Sequence, residues 1–113
     1  MKKKNRITNG IEFQEIINKK KFIANKSFVI YYMKRKEEIS RVGISVGKKI
    51  GKAHVRNKVK RQVRMMFQDL LKYDLDKDMI CIIRAGYCHQ SFEENKKLLE
   101  NLVFKVNIVV DET

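Results

Sequence analysis

Between Glu38 and Asp69 the chain has no acidic residue, yet the same window holds Arg41, Lys48, Lys49, Lys52, Arg56, Lys58, Lys60, Arg61 and Arg64. Arg56, Lys60 and Arg64 are four apart, so on a helix they stack along one face, with Asn57 and Arg61 in a row beside them. A face that is merely solvated mixes its signs, which gains pairs between turns and limits repulsion. A face of one sign, with arginines whose planar forks match phosphate oxygens, suits a phosphodiester backbone. This segment is the expected functional surface, and its expected ligand is a nucleic acid.

Ahead of that helix lies Gly47-Lys48-Lys49-Ile50-Gly51-Lys52-Ala53, placed where a nucleotide-binding P-loop would sit. Only three residues separate the glycines, and Ala53 stands where Ser or Thr would meet magnesium, so an NTPase is not expected. The loop still offers backbone N–H groups and lysines to a phosphate. Other chemistry is thinly supplied. His54 and His89 have no Asp or Ser partner in sequence, and His54 reads as a polar or phosphate-facing group at the start of the basic helix. Asp74, Asp76 and Asp78 lack the Gly and closing Glu of a calcium loop. Cys81 and Cys88-His89 lack the short spacing of a zinc site. No catalytic residue and no protein-bound metal are expected.

The bulk composition agrees. The 113 residues carry 26 Lys plus Arg against 13 Asp plus Glu, a net charge of +13 that repels itself unless a polyanion supplies the opposite sign. No stretch approaches the roughly 20 apolar residues of a membrane span, and no apolar h-region follows Met1-Lys2-Lys3-Lys4-Asn5-Arg6. A cytoplasmic protein without membrane or DNA partners is expected, in one domain covering residues 1–113.

The elements that must position these residues are legible from periodicity. A helix is expected over Gly10 to Asn18, capped by Asn9 with Glu12 completing a capping box and Phe13, Ile16 and Ile17 as its apolar stripe. Lys19-Lys20-Lys21 suits the negative end of that helix. Phe28 to Met33 and Arg41 to Val46 read as strands joined by a hairpin-like turn, with Val42, Ile44 and Val46 on one face. Strand residues alternate, so Tyr31 and Tyr32 point to opposite faces, and one of them is free to stack on an unpaired base.

From about Ala53 to Lys72 the period is helical, with Val55, Val59, Val63, Met66 and Leu70 on one side. Met79 to Arg84 is a third strand. Ser91 with Glu94 starts a last helix from Phe92 to about Val106, its stripe Leu98, Leu99, Leu102 and Val106. Asn107 to Thr113 is either a further short strand or a frayed end. The fold class is α+β, a two-layer sandwich of order α-β-β-α-β-α with a small sheet packed by helices.

The run from Arg41 through Gly43, Gly47-Lys48-Lys49-Ile50-Gly51-Lys52 and Arg56-Asn57-Lys58 to Arg64 resembles the signature of the bacterial ribonuclease P protein subunit. The likeness extends to Arg6-Ile7, Glu12-Phe13 and Phe28-Val29-Ile30-Tyr31, and so spans the chain. It implies an accessory subunit, monomeric within a ribonucleoprotein, whose catalytic partner is an RNA that uses magnesium ions to release the 5′ leader of precursor tRNA. It assigns Arg56, Asn57, Lys58, Lys60, Arg61 and Arg64, with Lys48, Lys49 and Lys52, to the catalytic RNA. It assigns Phe13, Ile17, Phe28 and Tyr31 to the leader, and it implies a left-handed crossover between the parallel strands.

Two positions depart from the family pattern. Lys58 stands where the family has a second Arg, keeping the charge without the planar fork. Ile17 stands where an aromatic residue is often found. The rival readings are a structural ribosomal RNA-binding protein with no processing role and a protein-only nuclease; the latter lacks a carboxylate cluster for two metals.

Overall fold

Met79-Ile80-Cys81-Ile82-Ile83 is an unbroken apolar run, which marks a strand covered on both faces and flanked on both sides. The computed structural model, which describes residues 1–109, places it there. Helix α1 spans Gly10–Asn18, followed by strands β1 (Phe22–Ala24), β2 (Phe28–Lys34) and β3 (Val42–Ser45). Helix α2 (Ala53–Leu70), strand β4 (Lys77–Ile83) and helix α3 (Phe92–Asn107) complete the order. The sheet runs β1-β2-β4-β3, with β4 antiparallel to β2 and parallel to β3.

The α+β class and the order α-β-β-α-β-α therefore hold, with the three-residue β1 added at the edge. The hairpin expected between β2 and β3 does not form, because β4 lies between them. A strand as apolar as β4 gains most from a central position, and the polar link after β2 is long enough to pass it. The free side of β3 is closed by the N-terminal segment: Arg6 bridges Val42 in parallel, and the Ile7 N–H donates to the Val42 carbonyl at 3.0 Å.

Alternation assigns each strand residue to one of two cores. Phe28, Ile30 and Tyr32 of β2, with Met79, Cys81 and Ile83 of β4, face α2 and α3. There they meet Val59, Val63, Met66, Phe67 and Leu70 of α2 and Leu99, Leu102, Val103 and Val106 of α3. Tyr31, Met33, Ile80 and Ile82 face the other way, where α1 brings Phe13, Ile16 and Ile17. The Ser91 hydroxyl accepts from the Glu94 N–H at 3.1 Å, capping α3 as the sequence indicates. Asn9 caps α1 at Ile11, but Glu12 turns away from the cap toward Arg41. The part of the expected tail beyond residue 109 lies outside the described residues.

Cys81 is fully buried, and desolvation pushes its thiol far above the ordinary range, whereas Cys88 is exposed. A thiol reagent is therefore expected to modify one cysteine in the native protein and both in denaturant. Two rapid equivalents without denaturant, read by mass spectrometry, would contradict this packing.

Candidate nucleic-acid interface

Helix α2 is charged against its own dipole. Cations are stabilising at a helix C-terminus and anions at the N-terminus. Here the first turn holds no acidic residue, the last turn no basic one, and the N-cap Lys52 provides no side-chain cap. The first-turn N–H groups and the surrounding cations thus present one sign together, an arrangement that an incoming phosphate relieves.

The buried stripe decides which residues face out. Val59 and Val63 are buried and Val55 half-buried; Asn57, Lys58 and Arg61 are exposed, and Arg56, Lys60 and Arg64 lie half-exposed along the margin. Lys48 and Lys49, in the 3-10 turn Lys48–Ile50, are exposed, as is Lys52. Gly51 joins that turn to α2 at φ 154°, a conformation reserved almost entirely for glycine. Among the described residues, none of Lys48, Lys49, Lys52, Arg56, Lys58, Lys60, Arg61 and Arg64 forms an ion pair. The Nε–H of Arg56, shielded from solvent, likewise finds no acceptor there.

Arg41 is a different case, although it opens the acid-free window. Its side chain is 14% exposed, and its Nη2 donates both to Glu12 of α1 and, at 3.1 Å, to Asp78 of β4, which is 1% exposed. Arg41 therefore ties α1 to the sheet and is no part of the cationic face. The three aspartates at the start of β4 and just before it are likewise engaged separately: Asp74 with Arg35, Asp76 with Lys77, Asp78 with Arg41. Among the described residues no group of three His, Cys, Asp or Glu side chains comes together where it could hold a metal ion.

The second surface is the α1 side of the sheet. Phe13, Ile17 and Tyr31 come together there, half-buried, beside Met33 and Ile82. Gly43 makes this possible: a Cβ on it would stand 2.8 Å from both the Phe13 ring and the Ile80 side chain. Helix α1 can approach β3 only because that position lacks a side chain.

Phe28 does not join them. It is fully buried in the opposite core, edge-on to Tyr87 at 5.6 Å between ring centroids. The period-two alternation puts it on the other face from Tyr31, so its inclusion among the leader residues is corrected here. Phe28 instead supports Tyr87 from within the core. Tyr87 donates its hydroxyl to Gln62 Oε1 of α2 at 2.7 Å, and burial pushes that hydroxyl up to about 12. Tyr87 is held in turn through its carbonyl by buried Asn95, which accepts from Ser27 at 2.7 Å. These contacts brace α2 from within the core. The sequence shows none of this linkage, because it joins positions far apart in the chain.

Comparison with known proteins identifies the family. The family model described as Ribonuclease P matches residues 1–107. A ribonuclease P protein component from Mesoplasma florum is 48% identical over 107 residues, covering 93% of this chain and 97% of its own. The RNase P protein of Staphylococcus aureus superposes with a TM-score of 0.81 at 36% identity, covering 95% of this chain and 98% of that one. That of Thermotoga maritima does so with 0.80 at 28% identity, over the same shares. With its unpaired cationic helix, its half-covered sheet face and a match along nearly its whole length, the chain belongs to the ribonuclease P protein family.

Proposed function

We propose that this chain is the protein subunit of a tRNA-processing ribonuclease P and that its partner RNA carries the catalysis. The single observation that bears most weight is the row of unpaired cations on α2, set against aspartates that are each engaged by another cation. The first is a surface for phosphates; the second leaves, among the described residues, no carboxylate cluster to hold the metals of a protein nuclease. In this reading α2 and the Lys48–Lys52 loop grip the catalytic RNA. The half-covered face at Phe13, Ile17 and Tyr31 receives the single-stranded 5′ leader, whose bases stack on the half-exposed rings. Magnesium chemistry belongs to the RNA, and one copy of the protein serves each RNA.

Reconstitution tests the reading. The protein combined with a ribonuclease P RNA and precursor tRNA at physiological magnesium is expected to release the 5′ leader, while the nuclease-free protein alone leaves the substrate intact. Specific 5′ cleavage by the protein alone would overturn the division of labour. A protein that selects ribosomal RNA over ribonuclease P RNA would favour the structural ribosomal alternative.

A further inference from the structure

Strand β1 is three residues long, yet it places a large aromatic ring in solvent at the outer edge of the sheet. Phe22 is 52% exposed. It pairs directly with Tyr31 across the β1–β2 ladder, so both side chains emerge on the α1 side. Their ring centroids are 5.1 Å apart with planes inclined by 39°. Immediately before Phe22 come Lys19, Lys20 and Lys21, all exposed and none in an ion pair among the described residues.

Simpler readings account for each piece alone. An exposed phenylalanine is ordinary on a protein surface, lysines suit the C-terminus of α1, and edge strands use lysine to discourage pairing. They do not account for the combination. Edge protection gains nothing from a bare aromatic ring beside the lysines. Moreover, Lys20 sits at φ 58°, just past the end of α1, where glycine would serve at lower cost. A lysine kept in a left-handed position points to a use for its charge.

We infer that the β1 edge, with Phe22 and Tyr31 as a stacking pair and Lys19, Lys20 and Lys21 as phosphate contacts, is a second binding element for single-stranded RNA, engaging the part of the 5′ leader farthest from α2. The sheet order puts β1 three strand spacings from β3, about 14 Å at ~4.8 Å each. A leader that enters beside α2 and crosses the open face therefore reaches Phe22 last. Exposed rings interleaved with unpaired cations are the means by which proteins hold single strands without reading sequence. Phe22 also offers an aromatic surface in a chain whose α1 presents Ile17 to the same face.

This inference rests on the leader reading above, and the test separates the two. The holoenzyme, reconstituted from the protein and its RNA, is titrated with precursor tRNAs bearing either a long unstructured leader or a leader of one nucleotide. Phe22→Ala is expected to weaken binding of the long-leader substrate about fivefold or more and to leave the short-leader substrate unchanged; Phe22→Trp restores the difference. Lys20→Gly, which relieves the backbone, is expected to fold at least as stably while binding the long leader about two- to threefold less tightly. Long-leader affinity unaltered by Phe22→Ala, with Tyr31→Ala still impaired, would overturn the β1 element and spare the leader reading. No dependence on leader length in the unaltered holoenzyme would overturn both.

Discussion

Replacing Arg56 and Arg61 together by alanine is expected to weaken binding to ribonuclease P RNA roughly 10- to 100-fold at physiological salt. It is also expected to reduce the slope of log affinity against log salt by about two. The reasoning is electrostatic. Both guanidinium groups lie on the outer and marginal rows of α2, without a carboxylate partner among the described residues, so each can displace a condensed counterion from a phosphate. Removal of two such contacts removes about two ions from the exchange. Because neither arginine is in an ion pair among the described residues, stability should change by no more than about 1 kcal/mol. Filter binding across a salt series measures the slope directly. A slope equal to that of the unaltered protein would show that α2 does not face the RNA backbone, whatever the change in affinity.

The largest loss of stability is expected at Arg41. Asp78 is almost completely buried, and besides the guanidinium it has, among the described residues, only the backbone N–H groups of Arg41, at 3.1 Å, and Lys36, at 3.5 Å. Arg41→Ala leaves that carboxylate without its counter-charge, a change that costs about 3–5 kcal/mol in comparable buried pairs. Urea unfolding should report it, and a loss below about 1 kcal/mol would sink the assignment. Arg41→Lys should rescue little, since an ammonium lacks the fork that spans Glu12 and Asp78.

The same residue introduces a pH dependence. The hydrogen bond from Arg41 holds the Glu12 carboxyl below the usual carboxylate range. A depressed folded-state pKa gives a contribution that is present at neutral pH and disappears as pH falls through that pKa. Acid should therefore loosen α1 from the sheet in the unaltered protein and do so less in Arg41→Ala. The consequence for function is specific: α1 carries Phe13 and Ile17, so loss of the Arg41 tether should impair leader binding more than RNA-subunit binding.

What the sequence determined by itself was local and periodic. Helix α1 occupies the expected residues, and the Ser91 cap starts α3 where the capping box indicated, because caps and stripes depend on neighbours a few positions away. The cationic side of α2 was legible for the same reason: with Val59 and Val63 fastened inward, spacing by four fixes where Lys60 and Arg64 must lie.

Tertiary structure decided whatever depended on partners distant in sequence. The insertion of β4 between β2 and β3 is a choice among strand pairings that alternation does not specify. That choice set the two faces of the sheet, sent Phe28 inward to support Tyr87 and left Tyr31 outward beside Phe22. It also turned Arg41 from an apparent member of the basic surface into a largely covered strut, because its two carboxylates come from residues 29 and 37 positions away. Charge and period are properties of a segment; register and desolvation arise only when segments meet.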